Sequence, residues 1–322
     1  MCGHELAQIG GELRCAHCGR VIPMDGGIPR FVSSETHASF ALEWKRFADV
    51  QLDSRNGTTE SRDRLLAQSH LHPEDFADRR ILEVGCGAGR FTEVLLAFGA
   101  RVTAVDYSEA IEACAASNAA AITAGRLTVA QADVFALPFK DRAFDIVIGY
   151  GMLQHTGAPR RALARLWDKV VPGGALLVDR YQLDFRHFLP IKYALRPFTR
   201  TMQPEKLLGG VEKLCAALVP IERRLLRGAQ SGGARRFIRY VLGRAPNSTY
   251  PLNLELRGLL ARDVAFRWSV LDTFDQYSPR YDLPCTAAQW REQISALQEG
   301  QVEHIGSGGQ GNVAVVRRLA GP

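Results

Sequence analysis

The sequence has no apolar run approaching the roughly 20 residues that a membrane-spanning helix needs. Its apolar strands, such as Phe144–Ile148, are only of core-strand length. It also lacks a charged opening segment followed by an apolar one, the pattern of a secretory leader, so a cytoplasmic location is expected. The seven cysteines follow no regular spacing: Cys2, Cys15 and Cys18 crowd the start, while Cys86, Cys114, Cys215 and Cys285 stand singly. That pattern argues against a disulfide framework and suits a reducing compartment. No internal repeat is present. With 46% hydrophobic, 23% charged and 8% aromatic residues over 322 positions, collagen-like and disordered classes are excluded as well. What remains is a globular chain long enough for one large domain, a buried core and a smaller appendage.

The net charge is +6, but it is unevenly spread. Residues 183–262 hold fifteen Lys and Arg against five Asp and Glu, which leaves the rest of the chain slightly acidic.

Residues 1–32 read as a small loop-rich module with a turn at Gly26-Gly27-Ile28-Pro29. Residues 33–78 read as a linker (Ser33–Ser39) and helices, with apolar Phe40, Trp44 and Phe47, a break at Asn56-Gly57 and an end at Pro73. Residues 79–182 change character. Ile81–Val84, Val102–Val105, Leu127–Gln131, Phe144–Ile148 and Ala175–Val178 are short β-type runs, separated by helical Phe91–Phe98, Ala110–Ala121 and Arg160–Lys169. This alternation predicts an α/β fold with a doubly wound, mostly parallel sheet. A helical, basic insertion at 183–265 follows the fifth strand. In the last part, 266–322, a helix (Thr286–Leu297) precedes strands near Val302–Ile305 and Asn312–Arg318, with Gly306–Gly311 as the turn of an antiparallel hairpin.

The strongest chemical signal is Glu83-Val84-Gly85-Cys86-Gly87-Ala88-Gly89-Arg90, between the first strand and its helix. Glycines there permit a sharp turn and let a ligand approach the backbone. The dinucleotide fingerprint wants its third Gly at position 90, which is Arg. Further along, Asp106 ends the second strand seventeen residues beyond Gly89, where a carboxylate can accept ribose hydroxyls. Gln131-Ala132-Asp133-Val134 follows the third strand, Asp145–His155 runs from the fourth strand into a loop, and Val171-Pro172-Gly173-Gly174 precedes the fifth.

In this order the segments resemble the motif series of class I S-adenosylmethionine-dependent methyltransferases, over roughly residues 78–182. The resemblance implies a Rossmann-like, seven-stranded sheet with a C-terminal antiparallel hairpin, and S-adenosyl-L-methionine as cofactor. It implies that Gly85, Cys86, Gly87 and Gly89 line the methionine part and that Glu83 orients the loop. Asp106 would hold the ribose, Tyr107 cover the adenine edge, Asp133 with Val134 read the adenine, and Tyr150 complete the site. Cys86 has a packing reading, since methyl transfer needs no protein nucleophile.

Residues 1–32 resemble the zinc-ribbon module that precedes some bacterial methyltransferases. Cys15-Ala16-His17-Cys18 supplies one C-x2-C half, and Cys2 and His4 are the nearby partners, although one intervening residue is too few for the usual geometry. The module either binds zinc through these four or folds on hydrogen bonds alone. It is expected to be dispensable for cofactor binding.

For a hydroxyl acceptor a base near the methyl group helps. His155, at the end of the fourth-strand loop, is the candidate, with a loop-holding role as the alternative. Leu271–Asp282 is dense in aromatics and acids and reads either as acceptor contact or as a packed turn. The insertion is expected to act as an acceptor lid. The expected acceptor is a small or medium-sized molecule, a sugar, lipid-linked or natural-product hydroxyl or amine. The insertion's composition suits an amphipathic acceptor with a phosphate, or docking on an anionic membrane surface, better than a neutral metabolite. The alternative is an RNA base methyltransferase using the ribbon for nucleic-acid recognition. A non-catalytic cofactor-binding scaffold is a third reading.

Overall fold

Alternating apolar runs and amphipathic segments become, in the computed structural model of the chain, strands and helices whose order positions the glycine loop. The structure describes residues 5–32, 42–43, 46–183, 191–228, 233, 237, 245–308 and 311–320. Four strands come first: β1 (Leu6–Ile9), β2 (Glu12–Cys15), β3 (Val21–Asp25) and β4 (Ile28–Pro29). Helix α1 (Glu60–Ser69) leads to β5 (Arg80–Val84), α2 (Arg90–Ala97), β6 (Arg101–Asp106), α3 (Ala110–Ser117), β7 (Leu127–Gln131), β8 (Phe144–Gly149), α4 (Pro159–Asp168) and β9 (Val170–Tyr181). Then come α5 (Ile191–Thr199), α6 (Pro204–Gly228), α7 (Tyr250–Leu256) and α8 (Arg262–Tyr277), followed by α9 (Ala287–Ser295), β10 (Gly300–Gly308) and β11 (Gly311–Arg318).

Two compact units divide the chain: Met1–His37, Glu60–Leu183 and Tyr281–Pro322 form one, Ala38–Thr59 and Asp184–Arg280 the other. In the first, a seven-stranded sheet runs β10-β11-β9-β8-β5-β6-β7. The five strands from β5 to β9 are parallel, while β11 and β10 add antiparallel to β9. Successive side chains of β5 alternate between faces: Ile81 joins a core with Leu95, Ile111 and Ile148, whereas Leu82 and Val84 join one with Leu166, Leu176 and Trp290. The chain leaves β5 toward β6 and β7, then returns to β8 on the other side of β5. Open α/β sheets bind ligands beyond the carboxyl ends of strands at such a reversal. Register places the ends of β5, β6, β7 and β8 together, with Val84 beside Val105 and Asp106 beside Gln131.

The N-terminal residues form a four-stranded antiparallel sheet, so more of the module is strand than a loop-rich reading implies. Gly26 and Gly27, both at positive φ, make the β3–β4 turn. This sheet is joined to the large one. Phe31 N–H donates to the Gln131 carbonyl (2.8 Å), and Ile28 and Phe31 enter the two apolar cores.

Other details differ from the sequence expectation. Pro73 opens a helical turn, Pro73–Phe76, at its first position instead of ending the preceding helix. Helix α1 stops at Ser69, and His70 takes a positive φ. The helix expected over Ala110–Ala121 is broken at Asn118. The hairpin strands extend to Gly308 and from Gly311, so Gly306–Gly308 is paired strand and not turn. Phe40, Trp44 and Ser33–Ser39 lie outside the described residues.

The second unit packs α6, α7 and α8 with Phe47 and Val50 around Cys215, Trp268 and Phe274. Two of the arginines in the basic excess are internal. Arg223 makes a bidentate pair with Glu255 (2.6 and 2.8 Å), and Arg196 donates to the Gln276 and Pro279 carbonyls. Among the described residues no helix is long and apolar enough to cross a membrane.

Candidate active site

The loop after β5 turns because Gly85 (φ +77°) and Gly89 (φ +93°) take left-handed conformations. Space forbids side chains there too. A Cβ on Gly85 would stand 2.7 Å from Met152 Cβ, and one on Gly89 2.9 Å from Cys114 Sγ. The Gly87 N–H donates to Asp106 Oδ2 (2.9 Å), tying the loop to the end of β6. The other oxygen, Oδ1, accepts from Ser108 N–H (2.8 Å) and Ser108 Oγ (2.7 Å). The Tyr107 backbone N–H is a further donor to this carboxylate. Burial raises the Asp106 carboxyl above its ordinary value even against these donors.

Glu83 points into the core beneath the loop, 2% exposed, and accepts from Thr92 Oγ1 (2.6 Å). Desolvation pushes its carboxyl up to about 8, with a smaller push from Asp106. Cys86 is also buried, and desolvation holds its thiol well above the ordinary range, which suits packing and not nucleophilic chemistry.

One wall continues along the strand ends. Ala132 N–H donates to the Asp106 carbonyl (2.9 Å), and Gln131 Nε2 donates to the Tyr107 carbonyl (3.0 Å). Tyr107 is 38% exposed. Asp133 caps a short 3-10 turn, Val134–Ala136, by accepting from Phe135 N–H (2.9 Å), and Val134 is buried.

Across the reversal, the loop after β8 brings Tyr150 and His155 to the edge where β9 carries Asp179. Asp179, on β9, accepts from Gly151 N–H (2.6 Å) and from Arg64 of α1 (2.8 Å). Arg64 also lies 5.4 Å from the Phe91 ring centre. Tyr150 is buried with its ring edge-on to Phe91, and its hydroxyl has no hydrogen-bond partner among the described residues. Burial beside Asp179 raises that phenol far above its ordinary value. His155 Nδ1 stands 3.1 Å from the Tyr281 carbonyl. A carbonyl only accepts, so the neutral ring carries its proton on Nδ1 and its basic lone pair on Nε2. Its ring is edge-on to Tyr181 at 5.6 Å.

The segment dense in aromatics thus divides: Leu271–Tyr277 belongs to α8, while Tyr281 reaches the His155 loop, and Leu283 N–H donates to the Gln154 carbonyl (2.9 Å). Sequence reading missed Arg64 and Asp179. Asp179 carried a signal, an acid directly after an apolar strand run, as at Asp106. A surface cavity of about 220 Å³ lined by Asp75, Arg79 and Asp145 lies at the opposite ends of the parallel strands and shares no residue with this site.

In the N-terminal module Cys15 is buried and Cys18 exposed, and the knuckle between them closes on backbone bonds, Gly19 N–H to the Cys15 carbonyl and Cys15 N–H to the Arg20 carbonyl (both 2.9 Å). Cys2 and His4 lie outside the described residues. Among the described residues no group of three or more His, Cys, Asp or Glu side chains is placed to hold a metal.

Sheet order, with its C-terminal antiparallel hairpin, and the glycine loop match the Rossmann-like methyltransferase fold that the sequence resemblance implies. Residues 82–178 match the family described as "Methyltransferase domain". Among curated proteins, the chain is 34% identical over 106 residues to the mitochondrial ubiquinone biosynthesis O-methyltransferase of Schizosaccharomyces pombe, covering 32% of this chain and 38% of that one. It is 31% identical over 111 residues to the Coxiella burnetii ubiquinone biosynthesis O-methyltransferase (34% and 47% covered). It is 35% identical over 106 residues to the Clavibacter sepedonicus demethylmenaquinone methyltransferase (33% and 42%). The chain therefore spans less than half the length of these relatives. Among solved structures, the Bacillus subtilis YcgJ protein aligns over 81% of this chain and 99% of its own, at 13% identity and a TM-score of 0.43.

Proposed function

We propose that the protein methylates a hydroxyl group of a small or lipid-linked acceptor, using S-adenosyl-L-methionine. The observation that carries the hydroxyl is His155, whose Nδ1 is committed to the Tyr281 carbonyl so that Nε2 is the basic position. Curated relatives whose names describe O-methylation in quinone biosynthesis support the same reading.

The residues present fit the cofactor. The left-handed glycine turn, with no room for a Cβ at Gly85 or Gly89, presents backbone at the strand end. The Asp106 carboxylate is tied to it through Gly87 N–H, and the buried Tyr150 hydroxyl has no partner among the described residues. When bound, the cofactor supplies a methyl group on a sulfonium. The chain's own tasks are alignment and proton handling. Gly85–Gly89 receive the methionine part, Asp106 the ribose, and Tyr107, Asp133 and Val134 the adenine. Asp179 fixes the Gly151 turn and Arg64, holding the loop that carries His155, and His155 takes the acceptor proton at Nε2. We assign acceptor choice to the helical segment 183–265.

The test is formation of S-adenosylhomocysteine with a panel of phenols, catechols and polyprenylated phenols, and with RNA as comparison. Turnover of phenols supports the reading. Cofactor binding with turnover of RNA alone would overturn it.

A further inference from the structure

Arg30, at the end of the N-terminal sheet, reaches a hundred residues along the chain to the strand ends beside the candidate adenine wall. Its Nη1 donates to Gln131 Oε1 (3.1 Å) and its Nη2 to Glu112 Oε1 on α3 (2.8 Å), with Asp25 Oδ2 at 3.4 Å. The Arg30 side chain is 11% exposed. The backbone is fixed as well: Arg30 pairs with Gln131 as a parallel bridge, and Phe31 N–H donates to the Gln131 carbonyl.

The geometry decides the orientation of the Gln131 amide. A guanidinium can only donate, so Gln131 must turn Oε1 toward Arg30. That leaves Nε2 directed at the Tyr107 carbonyl, the bond observed at 3.0 Å. Arg30 and the Tyr107 carbonyl hold the two ends of the buried Gln131 amide, so removing the guanidinium takes away one anchor and lets the side chain shift. A shifted amide loosens its hold on the Tyr107 carbonyl and so on the position of that residue. Tyr107 directly follows Asp106, and Asp133 lies two residues beyond Gln131.

We propose that Arg30 is a positioning residue for the adenine wall, acting through Gln131 on Tyr107, so that the N-terminal module is part of the cofactor site. The proposal stands against the expectation that the module is dispensable, and the experiment below decides between them. The proposal rests on the methyltransferase reading and on the placing of adenine at Tyr107 and Asp133.

The test uses the full chain with Arg30→Met and Arg30→Lys, and calorimetric titration with S-adenosylhomocysteine and with its hypoxanthine counterpart, S-inosylhomocysteine. Thermal melting monitors folding. Arg30→Met should weaken S-adenosylhomocysteine about tenfold, the scale of one hydrogen bond left unmade. It should weaken the hypoxanthine ligand less, so that preference for adenine falls, and Arg30→Lys should restore part of it. A merely structural role would weaken both ligands alike. Equal weakening, or unchanged affinity, in a folded Arg30→Met protein overturns the proposal. Should the unaltered protein fail to bind S-adenosylhomocysteine, the methyltransferase reading falls and this proposal with it. If Arg30→Met is unfolded, Gln131→Glu decides. It keeps the oxygen facing Arg30 but removes the donor to Tyr107, and an unchanged adenine preference there overturns the proposal.

Discussion

Replacing Glu83 with Gln should make the protein's stability less sensitive to alkali. Glu83 is buried and its carboxyl stands at about 8 instead of the ordinary 4.5, because desolvation disfavours the charged form. The folded state therefore binds a proton that the unfolded state has released over the interval between these values. A raised folded value contributes stability that is complete below the unfolded value and is lost as pH rises through the folded one. Each pKa unit corresponds to about 1.4 kcal/mol, so the full loss is on the order of 5 kcal/mol. Between about pH 5.5 and about pH 8.5 roughly 3 kcal/mol of it would appear. For a chain of this size that corresponds to a fall of roughly 4–5 °C in melting temperature. Gln keeps the oxygen that accepts from Thr92 and has nothing to titrate, so the variant's profile should lack this component. The assay is chemical denaturation of both proteins without ligand across that interval. Parallel profiles would refute a neutral, buried Glu83.

Asp106→Ala should weaken S-adenosylhomocysteine by about 1.5–3 kcal/mol in calorimetry, as for a lost charged hydrogen bond, and unchanged affinity would remove Asp106 from the site. His155→Gln should lower kcat by roughly a hundredfold or more while leaving cofactor affinity in place, and an unaltered rate would reduce His155 to a loop support. Asp179→Asn should cost about 3–5 kcal/mol of stability, because Arg64 would stay buried without its counter-charge. Denaturation showing less than about 1 kcal/mol would mean that Arg64 finds water.

The parallel strands were legible because each is an apolar run between glycines or charges, and Leu127–Gln131 falls as expected. The glycine loop and Asp106 were legible because a turn into a helix and a carboxylate at a strand end leave a local pattern. Arg64 and Asp179 were not, since they meet only after β9 takes its place beside β8, across 115 residues. Pro73 misled because proline excludes a helix interior but favours a helix start, and only the chain around it decides. Arg30 read as part of a separate module because nothing local announces that its partner is Gln131.

That partner has a consequence for solubility. Strand β7 forms one rim of the seven-stranded sheet, and a bare rim invites a strand from another molecule. Phe31 N–H occupies the Gln131 carbonyl and the Arg30 guanidinium lies alongside, so the N-terminal sheet covers the Gln131 end of that rim. At the other rim β10 slips register between Val302 and His304, a bulge that spoils straight pairing. A protein shortened past Phe31 would bare that end of β7 as well, and a greater tendency to aggregate through that strand is expected whether or not any chemistry had been lost.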